Sequence, residues 1–294
     1  MIKLTLQNGR VFKNFKESKI ELKNGNKKYF RDINIGDEIK YDLNQYNKKS
    51  HTKLKNISTL EFKQGKNGVK EYNLPTKMNE NLAWLIGAYM ANGSYPVDKD
   101  RKNQSRIKFH CEHKKIHKKV QRIWKEQFGA ETTIIKSSDR NSYTQDFSSV
   151  KIRKWLKYNK LNKKYNVKYS IIPIKIKKSS KKDILSFITG YADNDGCFHS
   201  KSFCIDSSDP NFIRYLQEVG ELVGLSFSFI VNSERDGYSN TPIYKNHLSR
   251  VYSIKNSIDY INKVSIKAQE RPIINSDGYR YIKYPYKVIY KERI

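Results

Sequence analysis

The chain has 294 residues, of which 37% are hydrophobic, which is enough apolar material for one large or two modest domains. Lysine and arginine outnumber aspartate and glutamate by 58 to 29, and the resulting charge of +29 favours a polyanionic partner. No apolar run reaches about 18 residues and the N-terminus lacks a signal-peptide pattern, so neither a membrane span nor secretion is predicted.

The three cysteines, Cys111, Cys197 and Cys204, are too few for a disulfide framework and lack the paired spacing of a zinc site. We therefore expect reduced thiols in an intracellular protein, either cytoplasmic or nucleoid-associated. The excess of positive charge is largest in residues 76–180 and smallest in residues 181–294. A polyanion should bind the first half of the molecule most strongly.

Residues 1–75 are predicted to form a small, mainly β domain. Asn8-Gly9 and Asn24-Gly25 are typical of hairpin turns between short strands. Near the C-terminus, Tyr279–Tyr290 interleaves tyrosine with lysine and arginine. This stretch is predicted to form a strand that pairs back onto the β domain, so that residues 275–294 complete it.

A helix is predicted from Leu82 to Ser94, with Gly87 near its middle and Asn92-Gly93 at its end. The elements after it are predicted from strand-like alternation and from helical spacing of apolar residues. They are a strand at Arg106–Cys111, a helix at Ile116–Phe128 closed by Gly129, strands at Thr132–Lys136 and Tyr143–Phe147, and a short helix at Ile152–Leu156.

The segment Ile184–Cys197 repeats the first helix, with Gly190 near its middle and Asp195-Gly196 at its end. The elements after it are a strand near Ser202–Ile205, a helix from Asp209-Pro210 to Gly224, a strand with apolar Leu225, Phe227, Phe229 and Val231, a strand around His247–Ile254, and a helix marked by Ile258 and Ile261. Each half reads helix–strand–strand–helix–strand–strand–helix, so the predicted fold class is α+β.

The glycines in the two repeated helices predict how these helices meet. Gly87 and Gly190 have no side chain beyond Cα and would let the two helices approach closely. Gly93 and Gly196 fit the left-handed position that closes a helix. Such packing would bring Asn92 and Asp195, one from each helix end, to the same place.

Leu85 through Gly93 and Ile188 through Gly196 align without gaps, and each resembles the motif that names the LAGLIDADG homing endonucleases. The resemblance implies a pseudo-two-fold pair of αββαββα halves, at residues 76–180 and 181–274, whose sheets form a saddle over DNA. It also implies a monomer that binds double-stranded DNA and requires no protein partner.

In that family the eighth motif position is a metal-binding acid, and it falls on Asp195 and on Asn92. The predicted metal site is completed by Gly93 and Gly196. Mg²⁺ prefers oxygen ligands and needs one or two carboxylates, and we expect Mn²⁺ to substitute for it. Because Asn92 brings no charge, cation affinity should be lower than in a site with two acids.

The family also uses a basic residue near each metal site. The resemblance places the first at Lys168, with Lys164 as the next candidate, and the second at Lys267 or Arg271. With Asp195 and Asn92, Lys168 and Lys267 complete the predicted catalytic set.

Outward positions on the predicted strands and turns carry residue types that contact base edges and phosphates in the major groove. A plain solvated face is the alternative for each of them. The predicted DNA-binding residues are Arg106, Lys108, His110, Lys136, Arg140, Ser226, Ser228 and Asn232.

The run that begins at Asn8-Gly9-Arg10-Val11 and extends through Ile35–Ile39 resembles the Hint fold of inteins. Splicing is not expected, because that chemistry needs a cysteine or serine at the first position and the chain starts Met1-Ile2. The expected Thr-x-x-His block would fall near Phe15–Ser18, which has neither residue. We interpret the segment as a degenerate Hint-like domain that contacts DNA; the alternative is a free-standing protein of intein ancestry.

These features predict a sequence-specific, Mg²⁺-dependent DNA endonuclease of the homing type that hydrolyses phosphodiester bonds in a long double-stranded target. Asn92 would give it a nicking bias. The alternatives are a catalytically impaired DNA-binding protein or RNA maturase of the same fold, and an inert intein relic.

Overall fold

The computed structural model describes residues 1–41, 43, 45–57, 71–94, 106–138, 141–162, 172–199, 202–232, 243–248, 253–273 and 286–294. The chain divides into two compact units. The first contains Met1–Tyr46, His199–Asp259 and Ile273–Ile294, and the second contains Asn47–Phe198 and Tyr260–Pro272. Within the described residues, no helix is both long and apolar enough to cross a membrane.

The helices and strands are numbered separately in chain order. The helices are α1 (Glu80–Asn92), α2 (Lys114–Phe128), α3 (Val150–Tyr158), α4 (Ile174–Lys177), α5 (Lys181–Asp195), α6 (Pro210–Leu222), α7 (Lys255–Val264) and α8 (Ile266–Glu270). The strands are β1 (Ile2–Leu6), β2 (Val11–Asn14), β3 (Lys19–Glu21), β4 (Lys27–Tyr29), β5 (Gly93–Ser94), β6 (Arg106–Cys111), β7 (Thr133–Lys136), β8 (Tyr143–Ser148), β9 (Gly196–His199), β10 (Ser202–Ser207), β11 (Phe227–Asn232), β12 (Ile243–Leu248) and β13 (Val288–Arg293).

The mixed α+β class and the repeated order of elements agree with the prediction. From α1 to α3 the chain runs helix, two strands, helix, two strands, helix, and from α5 to α7 it does so again. The antiparallel sheet of the first repeat has the order β5-β6-β8-β7, and the sheet of the second has the corresponding order β9-β10-β12-β11. The predicted strand at His247–Ile254 is displaced, since β12 ends at Leu248 and Ile254 packs against Gly224.

The N-terminal segment folds into two small antiparallel pairs. β1 pairs with β2 across Gly9 and β3 pairs with β4 across Gly25, and both glycines have positive φ values, 78° and 87°. These are the two predicted hairpins, and glycine adopts this backbone conformation at low cost. The buried apolar residues of this segment form one cluster with Val288: Ile2, Leu4, Leu6, Leu22, Phe30, Ile33 and Ile39.

The C-terminal strand closes this small sheet. β13 pairs antiparallel with β1, with Thr5 opposite Tyr290, so the sheet order is β13-β1-β2. Of the predicted strand Tyr279–Tyr290, residues 279–285 lie outside the described residues, and the observed strand begins at Val288. Its pairing with the N-terminal strand is the one that the sequence predicted.

The turn between β1 and β2 packs on α6 and β11 within the first unit. An added Cβ at Gly9 would lie 2.9 Å from Cβ of Phe229, and the amide of Phe229 donates to the carbonyl of Asn8 at 3.0 Å. Glu221 of α6 is 1% exposed, accepts from Asn8 Nδ2 at 3.2 Å and lies 3.4 Å from the Arg10 guanidinium. The hydroxyl of Tyr41 also donates to Glu221.

Candidate functional site

The two repeated helices, α1 and α5, touch at their glycines. An added Cβ at Gly87 would lie 3.0 Å from the carbonyl carbon of Phe187, and one at Gly190 would lie 2.8 Å from that of Trp84. Both distances are too short for a real methyl group next to fixed backbone. The predicted close approach of the two helices at Gly87 and Gly190 is therefore confirmed.

The helices also begin side by side. Glu80, in the first turn of α1, lies 3.9 Å from the Lys182 ammonium in the first turn of α5. The hydroxyl of Tyr260 donates to Glu80 at 2.6 Å and shares a hydrogen bond of 2.5 Å with Ser186. Since α1 and α5 start together and cross at their glycines, their C-terminal ends lie on the same side.

A cavity of about 510 Å³ opens at these C-terminal ends. Its walls come from the last turns of α1 and α5, from the end of β6, from the turn before β8 and from the first turn of α8. The lining residues are Asn92, His110, Cys111, Glu112, His113, Asn141, Ser142, Asn194 and Lys267. The cavity is polar, and it is where the repeat predicted the two helix ends to meet.

Of the two predicted metal-binding side chains, Asn92 lines this cavity and Asp195 lies beside it. Asp195 is the last residue of α5 and is half-buried, while the lining on that helix comes from its neighbour Asn194. The Asn194 Nδ2 group donates to Gly190 at 2.9 Å. Its buried Oδ1 has no hydrogen-bond donor among the described residues, so this oxygen is available to a ligand in the cavity.

The glycines after the two helices do not adopt the predicted left-handed conformation. Gly93 has φ −87° and ψ 153°, and Gly196 has φ −115° and ψ 157°, so both are extended and start strands β5 and β9. Steric exclusion explains the glycines instead. An added Cβ at Gly93 would lie 2.6 Å from the carbonyl oxygen of Tyr89, and one at Gly196 would lie 2.9 Å from the carbonyl carbon of Ala192.

Of the predicted basic residues, Lys267 reaches the cavity. It lies in the first turn of α8, lines the cavity, and its ammonium donates to the carbonyl of Gly196 at 2.7 Å. Gly196 directly follows Asp195 in the chain, so this amine binds the backbone next to the predicted acid. Lys168 and Lys164 lie outside the described residues, and Arg271 is exposed after the end of α8.

The strand β6 presents its predicted polar face. Lys108 is half-buried and His110 is exposed, and they alternate with the buried residues Ile107 and Phe109. Arg106 is the first residue of β6, and its predicted DNA contact stays a prediction. His110 also lines the cavity.

Lys136, the last residue of β7, is exposed, in agreement with the outward position predicted for it. It pairs with Tyr143, and Tyr143 pairs with Cys111, so it lies on the face opposite Lys108 and His110. Its predicted contact with DNA stays a prediction, and Arg140 lies outside the described residues.

In the second sheet, Ser228 lies within β11 and is half-buried, and it pairs with His247. Asn232 is the last residue of the same strand, and its predicted DNA contact stays a prediction. Ser226 precedes β11 and is 2% exposed, and its amide donates to Ser253 at 2.9 Å. The prediction of an outward-facing Ser226 was wrong, since the predicted strand began two residues too early.

The sequence did not identify the residues that support Lys267. Asp193 is fully buried, and its carboxylate accepts from the Trp84 indole at 2.9 Å and from the amides of Ile266 and Lys267 at 3.2 Å. Burial lowers the pKa of Lys119 to about 8, partly offset by the charge of Asp193. An aspartate within an apolar helix was the available signal, but nothing in the sequence shows which groups it meets.

The donors around the two helix ends suit a hard divalent cation. They are the carboxylate of Asp195, the amide oxygens of Asn92 and Asn194, and backbone carbonyls. Within the described residues, no group of three or more His, Cys, Asp and Glu side chains could hold a metal ion. Oxygen donors of this kind are typical ligands of Mg²⁺, whereas zinc sites are built mainly from sulfur and nitrogen ligands.

Comparison with known proteins gives a partial match. Residues 79–160 match the family model of the LAGLIDADG-like domain. No curated protein matches this chain.

Three solved structures are similar over part of the chain. I-DmoI in complex with DNA and Mn is 13% identical, with a TM-score of 0.44 over 67% of this chain and 98% of that chain. I-WcaI bound to its DNA recognition sequence is 13% identical, with a TM-score of 0.45 over 67% and 87%. Full-length DUF199/WhiA from Thermatoga maritima is 13% identical, with a TM-score of 0.41 over 68% and 63%. It is the family model that shows the stretch from α1 to α3 to be similar to a LAGLIDADG-like domain.

Proposed function

We propose that this protein is a sequence-specific DNA endonuclease of the homing type that depends on a divalent cation. The observation that carries the proposal is the shared cavity at the ends of two glycine-packed helices, lined by Asn92, Asn194 and Lys267. The match of residues 79–160 to the LAGLIDADG-like domain supports the same function. The net charge of +29 suits a DNA partner.

Asp195 and Asn92 would hold the cation, with the Asn194 amide oxygen and the carbonyls of Gly93 and Gly196 as further oxygen donors. A bound Mg²⁺, or Mn²⁺ in its place, would activate water and neutralise charge on the scissile phosphate. Asp195 stands at the C-terminus of α5, where carbonyls that lack helical partners add negative potential.

Lys267 supplies the positive charge of the site. Its ammonium already donates to Gly196, and it can donate further hydrogen bonds to a phosphate oxygen in the same cavity. Such a donor stabilises the charge that develops on the phosphate as the bond to the leaving oxygen breaks. In the strand beside the cavity, Lys108 and His110 would contact the DNA backbone or base edges.

Cleavage of a supercoiled plasmid library with Mg²⁺ tests the proposal. We expect linear product at preferred sites, and Asp195→Asn should abolish cleavage while duplex binding stays within about tenfold, because the residue holds metal rather than DNA. The matched control is Asp259→Asn, which removes an exposed carboxylate on α7. Unchanged cleavage by Asp195→Asn would show that the reaction occurs elsewhere.

A protein that binds DNA or RNA without cutting is the second candidate function. It is favoured by Asn92, which leaves the proposed site one carboxylate short. Binding to a duplex target without cleavage in Mg²⁺ or Mn²⁺ would establish this function. Preferential binding of a structured RNA would identify the maturase alternative.

A further inference from the structure

The junction between α7 and α8 is held by side chains from two other helices, α5 and α2. It runs from Val264, the last residue of α7, through Ser265 into Ile266 and Lys267 at the start of α8. All of these contacts lie within the second compact unit. They fix the backbone that carries Lys267 into the cavity.

Asp193 of α5 makes most of these contacts. Its Oδ1 accepts from the Ser265 hydroxyl at 2.5 Å and from the Lys267 amide at 3.2 Å. Its Oδ2 accepts from the Trp84 indole at 2.9 Å and from the Ile266 amide at 3.2 Å. Four donors on a fully buried carboxylate saturate its lone pairs, so Asp193 has no free oxygen for a metal ion.

Lys119 of α2 holds the same junction from the other side. Its ammonium donates to the carbonyl of Val264 at 2.5 Å and lies 4.1 Å from the centre of the Trp84 ring. A buried ammonium without an anion nearby would be costly, and Asp193 supplies that anion. Trp84, Lys119 and Asp193 therefore form one linked assembly around the junction.

We infer that Asp193 is a positioning residue for Lys267: it fixes the first turn of α8 so that the Lys267 ammonium reaches Gly196 and the cavity. This inference rests on the proposed function, since it assigns Asp193 a part in the same reaction. The two carboxylates at the end of α5 then have separate tasks. Asp195 faces the cation, and Asp193 orients the amine.

The first motif has no equivalent of this arrangement. The motif alignment places Met90 at the position of Asp193, and Met90 is 6% exposed and cannot accept a hydrogen bond of comparable strength. The charge that holds α8 is therefore a property of the second motif alone. Only Lys267 is positioned in this way among the described residues.

The test combines hydrogen exchange with cleavage, using Asp193→Asn in the full chain. In this variant the NH₂ group of asparagine would face N–H and O–H groups that now donate to the carboxylate. The rate of hydrogen exchange at the amides of residues 264–268 should therefore increase. The matched control is Asp183→Asn, which neutralises another fully buried carboxylate of α5, at its opposite end. The control should leave exchange in residues 264–268 unchanged.

Single-turnover cleavage shows whether Asp193 acts through Lys267. We expect Lys267→Met to slow cleavage by about a hundredfold and Asp193→Asn by about tenfold or more. The double variant should be no slower than Lys267→Met within about twofold, because the two changes remove one function. The Mg²⁺ concentration for half-maximal cleavage should stay unchanged in Asp193→Asn and rise in Asn variants of a true ligand.

Each failure has its own reading. Unchanged exchange in residues 264–268, or additive losses in the double variant, would overturn the positioning role. Absence of cleavage by the native protein would overturn the proposed function. Faster hydrogen exchange at residues 264–268 in Asp193→Asn would then show that Asp193 has a structural role only. If Asp193→Asn does not fold, Ser265→Ala removes one of its four donors and should show smaller changes in the same direction.

Discussion

Asn92 and Asp195 occupy equivalent positions in the two motifs but differ in charge. An amide oxygen can coordinate a cation, yet it contributes no negative charge to offset the charge of the ion. The cavity next to Asn92 also contains Glu112, an exposed carboxylate that the sequence did not single out. The two strands of a bound duplex would therefore be hydrolysed at different rates.

Asn92→Asp should raise the cleavage rate at limiting Mg²⁺. The substitution restores the missing charge at nearly constant side-chain size, so the second strand should be cut sooner and less nicked intermediate should accumulate. Time courses of nicked and linear plasmid for both proteins measure this directly. Equal strand cutting by the native protein, with no gain from the variant, would show that Asn92 is already a competent ligand.

At the level of single residues, sequence reasoning worked where the cause is local. Gly87 and Gly190 were identified correctly, because only glycine permits the observed backbone approach. The extended conformation of Gly93 was missed, since a glycine after a helix can end it in more than one way. The partners of Asp193 were missed because they come from α1 and α8, far apart in the chain.

The contact between α1 and α5 makes a prediction about packing. Gly190→Ala should destabilise the fold by about 1–3 kcal/mol, because the new methyl group meets backbone at 2.8 Å and backbone cannot rotate away. Urea unfolding measures the loss. Gly25→Ala is the comparison: nothing lies within 4 Å of its added Cβ, but φ is 87°, so it reports conformational strain alone.

The contact between the N-terminal turn and α6 makes a prediction about pH. Burial raises the pKa of Glu221 to about 7 against the opposing effect of Arg10. The folded state therefore binds the proton of Glu221 more tightly than the unfolded state does. The protonated group adds to the free energy of unfolding, and this contribution is fully present below about pH 4.5 and is lost as pH rises through 7.

Glu221→Gln should remove that part of the pH dependence. The free energy of unfolding of the native protein should fall between pH 5 and pH 8 relative to that of the variant, measured by urea titration at each pH. Glu218→Gln is the matched control, because Glu218 also pairs with Arg10, at 2.7 Å, but its side chain is 42% exposed. Parallel pH curves for native protein and Glu221→Gln would contradict the assignment.

Secondary structure was predictable because its periods are local. The C-terminal end of α2 at Gly129 and the N-terminal end of α6 at Asp209 were predicted correctly. A helix cap depends on only a few neighbouring residues, so it is visible in the sequence. Strand registers were not predictable, because hydrogen bonding across a sheet depends on distant partners. This is why Ser226 was assigned to an exposed position although it is buried.

On the scale of the whole molecule, the charge of +29 should dominate the proposed association with DNA. Binding that neutralises phosphates releases counterions, so affinity should fall by roughly a thousandfold between about 50 and about 200 mM salt. Fluorescence anisotropy with a labelled duplex measures the slope. Lys108→Gln should lower the slope by about one if Lys108 contacts a phosphate. A flat salt response would contradict binding of nucleic acid.

The hydrogen bond between Trp84 and Asp193 also favours packing of the first motif helix against the second over packing against another copy of itself. If two copies of the first half associated with each other, each Trp84 indole would face Met90 and lose its acceptor. A buried donor left unsatisfied costs about 1–3 kcal/mol, and the self-paired form would contain two of them. The loss of this hydrogen bond thus disfavours self-association of the first half. A chimera that joins one half of this chain to a half of a similar protein would need both Trp84 and Asp193, or an equivalent donor and acceptor, to keep the hydrogen bond.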